Sequence, residues 1–447
     1  MMEYISYPDL LKIAVDPSSP YLSKKGMKLE ICQTAGVNLF LANNLQIMDF
    51  TAGIRGINLG HNHPKVLSAV AKQMEEYARS VGFFNSHKLI NQLWESILGF
   101  IDPRTGSVYI TNTEEEALRY AILLAHSITK RSAVLRIKFC IGKQRKKPGI
   151  EFLREDENND PNGNLDPLTS FITCYISPIN ISELTIESAI SDLLSYLRDF
   201  NYSSTELTNI SAIIIDLVNK DNGFYFPPAV LLSALRCLCN RYGILLIFDE
   251  RETAFGRTGR MLASLDLDIY SDLTIVGKGI ANGTSLGCVL IRQEIVQGLL
   301  EDVWNDIEVN PISCAAALAT IEVIYKENLL ENCREMGKRL LDGLQVLKKR
   351  YPFIEDVRGV GLNLTIEFMK TKISSSTDFS AAWNLACSSL QHGLLTYCAN
   401  SQSHSILLMP PINVTENQID SALAILEQGI IKIKNTDCFT KTLSSRI

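Results

Sequence analysis

Apolar and polar positions along this chain follow two periods in turn. From Pro64 to about Arg79 the apolar residues recur at helical spacing, with Pro64 suited to a first turn. Glu114 to Ser127 predicts a second helix. Ala212-Ile-Ile-Ile-Asp216 and Leu245-Leu-Ile-Phe248 are short unbroken apolar runs, the pattern of strands covered on both faces. Between them, Pro228 to Tyr242 predicts a crossover helix. Repeated β-α-β units imply a parallel sheet with right-handed crossovers and ligands at the strands' C-terminal edge. The fold class expected is therefore α/β. Ile312 to Leu347 is strongly helical and leads into a small C-terminal α+β domain. Lys143 to Asp166, charged and rich in Asn, Asp, Pro and Gly, predicts an exposed loop. The tail after about Thr436 predicts loose order, and no repeat is evident.

Composition narrows the function classes. A chain of 447 residues suits one large and one small domain, and 46% hydrophobic content supports a substantial core. The net charge of −6 argues against nucleic acid as the main partner. No apolar run approaches the ~18 residues of a membrane span. The start, Met-Met-Glu-Tyr-Ile-Ser, lacks the basic and apolar stretches of a secretory signal. Eleven scattered cysteines without a Cys-x-x-Cys pair read as reduced, mostly buried thiols of a cytoplasmic protein. His61-Asn-His63 reads as a turn at a strand exit rather than a metal pair, and no metal site is expected.

The chemistry centres on Lys278. It lies in Thr274-Ile-Val-Gly-Lys-Gly-Ile-Ala-Asn-Gly-Thr-Ser-Leu-Gly287, shortly after a buried strand tipped by Asp249. A glycine-flanked lysine beside an acid-tipped strand suits Schiff-base chemistry with pyridoxal phosphate. The amine must attack an aldehyde from a loop that can approach closely, while a carboxylate holds the ring nitrogen protonated.

A set of collinear segments resembles the class III aminotransferases, the family of the ornithine, acetylornithine and 4-aminobutyrate enzymes. They are Asp49-Phe-Thr-Ala-Gly-Ile54, Leu59-Gly-His-Asn-His-Pro64, Tyr109-Ile-Thr-Asn112, Phe248-Asp-Glu-Arg-Glu-Thr-Ala-Phe-Gly-Arg-Thr-Gly259, Asn310-Pro-Ile-Ser-Cys-Ala-Ala-Ala317, Val357-Arg-Gly-Val-Gly-Leu362 and Pro410-Pro411. The resemblance implies a type I pyridoxal-phosphate-dependent transferase fold. It implies an N-terminal segment at 1–55, a large cofactor-binding domain at 56–300, a small C-terminal domain at 301–435 and a tail at 436–447. It also implies a cofactor, pyridoxal 5'-phosphate, held by Asn112, Thr113, Glu114, Asp249, Glu252, Lys278 and Asp306, with Lys278 and Asp249 catalytic. Family sites are built across a two-fold interface, so a homodimer or a heterodimer with a paralogue is expected. Arg257 reads as a structural residue.

The departures from the family pattern are concentrated where the phosphate would sit. Thr113-Glu114-Glu115 stands in place of a small Ser-Gly loop at a helix N-terminus, where backbone N–H groups normally meet the phosphate. Asp306 stands where the family has a phosphate-binding threonine, and the family's stacking aromatic falls near Cys140-Ile-Gly142. A unit charge ~4 Å from another costs about 4 kcal/mol at an effective dielectric of 20. Glu114 and Glu115 either oppose the phosphate or point to water and favour the helix dipole. The arginine that grips a substrate carboxylate in many members is replaced around Leu407. Two readings stay open: an aminotransferase moving an amino group between an amine or amino acid and a 2-oxo acid or aldehyde, or a catalytically degenerate homologue kept as a structural or regulatory subunit.

Overall fold

The computed structural model describes residues 31–41, 45–76, 88–101, 103–139, 172–176, 185–191, 209–218, 223–297, 309–369, 380–398 and 403–434. Lys143–Asp166, Cys140–Gly142, Asp306 and the tail beyond Thr436 lie outside these. The chain divides into two compact units. One comprises Met1–Leu67, Gly256–Gly259 and Val323–Ile447; the other comprises Ser68–Phe255 and Arg260–Glu322.

The first unit opens with β1 (Ile31–Ala35), β2 (Asn38–Leu41) and β3 (Gln46–Asp49), joined antiparallel in sequence order. The second unit carries the central sheet. Its strands are β4 (Thr105–Thr111), β5 (Ala133–Phe139), β6 (Ile172–Ile176), β7 (Ile210–Asp216), β8 (Leu245–Asp249), β9 (Leu273–Val276) and β10 (Gly287–Arg292). Their spatial order is β4-β10-β9-β8-β7-β5-β6. The run from β9 to β6 is parallel throughout, and β10 alone is antiparallel to both neighbours. The mostly parallel sheet expected from the apolar runs is thus present.

Burial on both faces follows residue by residue from the strands' period of two. In β7, Ala212 and Ile214 pack with Ala117, Leu118 and Ala121 of helix α1 (Glu114–Thr129). Their alternates Ile213 and Ile215 pack with Leu231, Leu235 and Leu238 of helix α2 (Ala229–Tyr242). β8 repeats the division, with Leu245 and Ile247 on the α1 side and Leu246 and Phe248 on the α2 side. Full burial of each leucine, isoleucine or phenylalanine among them contributes about 1.5–3 kcal/mol. Helix α2 starts after Pro228 and stops at Gly243, whose φ of 61° closes a left-handed cap onto Cys239 O.

The first unit resumes with α3 (Leu329–Arg350), then β11 (Ile354–Val360) and β12 (Asn363–Phe368). Helix α4 (Ala381–Gln391), β13 (Leu394–Leu395), β14 (Ser405–Leu408) and helix α5 (Glu416–Lys434) complete it. β11, β12 and β14 make an antiparallel sheet, while β13 pairs parallel with β3. That pairing, with Met409 N donating to Phe50 O, draws the N-terminal strands into the same unit as the C-terminal sheet. The helical run expected over Ile312–Leu347 is two helices, Pro311–Lys326 and α3, because Asn328 takes φ 52° between them.

Arg257 is structural, as expected. It is 1% exposed and donates to Asn58 Oδ1 at 2.7 Å and to Pro410 O at 2.5 Å. His61-Asn-His63 forms a turn with Asn62 at φ 52°, and His61 Nε2 lies 2.8 Å from Asp49 Oδ2. Cys239, Cys288, Cys314, Cys333 and Cys398 are buried, whereas Cys32 and Cys237 are exposed. Burial pushes the Cys239 thiol up to about 12, which leaves it unreactive. No helix among the described residues is long and apolar enough to cross a membrane.

In α3, a methyl group on Gly337 would overlap the backbone carbonyl of Gly361, which cannot yield as a side chain could. Gly337→Ala is therefore expected to destabilise its unit by about 1–3 kcal/mol. Thermal unfolding of the variant checks this, and an unchanged midpoint would contradict the close approach.

Candidate active site

Three strand ends place the chemistry. β7, β8 and β9 are adjacent and parallel and end at Asp216, Asp249 and Val276, with Asp216 in register with Asp249 and Asp249 with Ile275. Lys278 follows β9 by two residues, so its amine and the Asp249 carboxylate emerge at the same edge of the sheet.

The glycines around Lys278 have a steric reason. A Cβ on Gly277 would come 2.7 Å from Glu114 Cβ, and one on Gly287 would come 2.5 Å from Thr113 O. The lysine loop and the start of β10 therefore press against the N-terminus of α1 at distances that only glycine permits. Lys278 itself adopts φ 45°, left-handed for a residue with a side chain. Such backbone costs about 1–2 kcal/mol, and strain of this kind clusters at functional sites.

Asp249 is 6% exposed and fully engaged. Arg251 donates its backbone N–H to Oδ1 at 3.2 Å and Nε to the two oxygens at 2.9 and 3.1 Å. Arg251 Nη2 donates to Oδ2 at 2.8 Å, and Arg136 Nη2 reaches the same oxygen at 3.2 Å. Arg136 also pairs with Asp216 at 3.0 Å. Burial pushes the Asp249 carboxyl up, but the two guanidinium groups outweigh it and hold it down at about 2. The next residue, Glu250, is wholly buried and structural. It accepts from Ala263 N, Ser264 N and Thr253 Oγ1, fixing the loop after β8.

Lys278 Nζ lies 2.5 Å from Glu252 Oε1 and 4.0 Å from Glu114 Oε1, its side chain 18% exposed. Glu114 thus turns inward. Burial raises its carboxyl above the ordinary value, with Lys278 and Arg251 pulling it back and Glu252 and Glu115 adding to the rise. Glu115 takes the other course. Its side chain is 68% exposed and accepts from Arg251 Nη1 at 2.7 Å. Glu114 therefore faces Lys278, and Glu115 faces solvent and Arg251.

Thr113 and Asn112 serve the helix start. Thr113 Oγ1 accepts from Glu116 N at 3.1 Å, and Glu116 Oε2 accepts from Asn112 N at 2.9 Å. This is a capping box shifted by one residue. Asn112 Oδ1 accepts from Asn310 N at 2.8 Å. Of the candidates, Asn112, Thr113, Glu114, Asp249, Glu252 and Lys278 come together in one unit, and Asp306 lies outside the described residues.

Arg136 and Arg251 were not singled out from sequence. An arginine in the apolar strand Ala133-Val-Leu-Arg-Ile-Lys-Phe139 is a signal that buried acid must lie nearby. Arg251, two residues beyond the acid, is the other.

A pyridoxal phosphate fits the donor set at its ring end. Lys278 and Asp249 supply the amine and the acid at one sheet edge, and Thr113 supplies a hydroxyl at a helix N-terminus. The ion pairs made by Arg251, Glu252 and Glu114 are the features such a group must displace.

The comparisons give the family and the fold. Residues 21–430 match the family described as aminotransferase class-III. The chain is 28% identical to the 5-aminovalerate aminotransferase DavT of Pseudomonas putida, covering 87% of this chain and 90% of that protein. It is 26% identical to the 4-aminobutyrate aminotransferase GabT of Escherichia coli, covering 86% and 89%. Among solved structures, the taurine:2-oxoglutarate aminotransferase of Bifidobacterium kashiwanohense, in complex with PLP and glutamate, superposes with a TM-score of 0.77. That match covers 98% of this chain and 100% of the other at 18% identity, and so bears on the fold. With its lysine and acid at the edge of a type I sheet, this chain belongs to the class III aminotransferases, whose cofactor is pyridoxal 5'-phosphate.

Proposed function

We propose that this aminotransferase moves the amino group of a primary amine, terminal rather than α to a carboxylate, onto a 2-oxo acid. The carrying observation is Lys278, held in a left-handed turn two residues after β9 with its side chain 18% exposed, at the sheet edge where β8 ends in Asp249. Pyridoxal phosphate, when bound, supplies the electron sink that makes a C–H bond next to the amino nitrogen acidic. Lys278 Nζ would take that proton from the carbon on one side of the amino nitrogen and return it to the carbon on the other. Asp249, held ionised in this structure by Arg251 and Arg136, would orient a ring N–H and keep it protonated. Glu252 holds the lysine amine between turnovers.

A terminal amine as donor has two supports. Leu407, buried in β14, brings no guanidinium where many family members grip the α-carboxylate of an amino acid, so the carboxylate of the 2-oxo acid acceptor must be met by other groups. Two relatives are named for 5-aminovalerate and 4-aminobutyrate, whose amino groups are terminal. None of the relatives speaks for the scaffold-only alternative. A dimer, with itself or with a paralogue, is part of the proposal through the segment around Asp306, and a cytoplasmic setting suits the reduced thiols.

Incubation with 5-aminovalerate, 4-aminobutyrate or alanine and either pyruvate or 2-oxoglutarate tests the reading. Cofactor-loaded protein is expected to transfer amino groups from the first two in preference to alanine. Lys278→Ala is expected to lower the rate by at least about a thousandfold. Transfer that survives in Lys278→Ala, or no transfer from any donor by loaded protein, would sink it.

The acid carries a pH signature. Since the folded carboxyl sits near 2 against an ordinary 3.8, the ion pairs stabilise the fold fully above about pH 4. That stabilisation is lost as pH falls through about 2. The melting-temperature gap between wild type and Asp249→Asn is expected to be constant above about pH 4 and to close between about 4 and 2. A gap that closes near neutrality would contradict the low carboxyl value.

A further inference from the structure

Arg251 spans the two elements between which the cofactor is held in the reading above. At one end its Nε and Nη2 grip both oxygens of Asp249, the acid at the tip of β8. At the other end Nη1 donates to Glu115 in the first turn of α1. The arginine side chain is only 10% exposed, so the guanidinium fills the space between strand end and helix start instead of lying on the surface. A ring nitrogen approaching Asp249 meets a carboxylate whose lone pairs already accept from Arg251 and Arg136. A flat ring and a flat guanidinium cannot share that position.

The surroundings favour this closed arrangement. Arg136, anchored by Asp216, also pairs with Asp249 at 3.2 Å, so the acid keeps one guanidinium partner when Arg251 leaves. Glu114 and Glu252 face the lysine amine. The ion-pair cluster thus comprises Arg136, Arg251 and Lys278 against Asp216, Asp249, Glu114, Glu115 and Glu252, and each cation has a carboxylate within hydrogen-bonding or ion-pair distance.

We propose that Arg251 is a built-in occupant of the cofactor site, a salt-bridged bar from Asp249 to Glu115 that must swing out before pyridoxal phosphate can engage Asp249. The bar lowers cofactor affinity and gives the cofactor-free protein a closed, stable form. The exchange at Asp249 is one cation for another, guanidinium for pyridinium, so the acid remains compensated in both states. Glu115, largely in water, is released at small cost. What opposes binding is the loss of the Arg251 fork itself. This inference rests on the amino-transfer reading but concerns a different residue and a different observable.

Absorbance titration of the full-length protein with pyridoxal 5'-phosphate tests it, together with the melting temperature of the cofactor-free protein. Arg251→Ala is expected to bind the cofactor about ten- to a hundredfold more tightly than wild type, the worth of one to two charge-assisted hydrogen bonds. Its cofactor-free form is expected to melt lower. Arg251→Lys keeps the charge without the two-pronged fork. It is expected to fall between the two, and it decides the matter if the alanine variant does not fold. Affinity that is unchanged or weaker in these variants overturns the bar while leaving the amino-transfer reading intact. If neither wild type nor variant takes up cofactor, both fall.

Discussion

A carboxylate buried at the end of a central strand must be given countercharge, and the way this is met at Asp249 orders the rest of the site. Isolated, such a charge would shift its pKa upward and neutralise. Here two guanidinium groups from different directions hold it ionised. Removing one partner of a buried pair costs about 3–5 kcal/mol, so Arg136 and Arg251 are structural as well as electrostatic. Arg136 ties the ends of β7 and β8 together through Asp216 and Asp249. Arg251 ties β8 to the start of α1 through Glu115. In the proposed reading the same acid would meet a protonated ring nitrogen, so the interaction that stabilises the fold would also compete with the ligand.

Much of the frame was legible in the sequence because it depends on local pattern. The run Ala212–Ile215 and the run Leu245–Phe248 are apolar at every position, as strands covered on both faces are, and alternate side chains do divide between α1 and α2. The helix expected over Glu114–Ser127 runs Glu114–Thr129, since its apolar spacing is a local feature. Lys278 and Asp249 were legible because flanking glycine and a strand-end acid are features of sequence.

The ion-pair wiring was not legible, for a physical reason. Arg136 meets Asp216 and Asp249 across strands 80 and 113 residues away in sequence, and no local pattern states which strands become neighbours. Glu114 and Glu115 are adjacent and chemically alike. Their different roles follow from helical geometry, which turns the first toward Lys278 and the second toward solvent and Arg251. The break at Asn328 within a strongly helical stretch depends on a left-handed residue that helix periodicity does not reveal.

The central claim is that Lys278 is the amine poised for the cofactor aldehyde, beside an acid kept charged. Peptide mapping by mass spectrometry, after mixing the protein with pyridoxal 5'-phosphate and reducing with borohydride, addresses it directly. The expected result is a pyridoxyl group on Lys278, with surface lysines labelled only at excess reagent. Label confined to other lysines, with Lys278 unmodified, would contradict it.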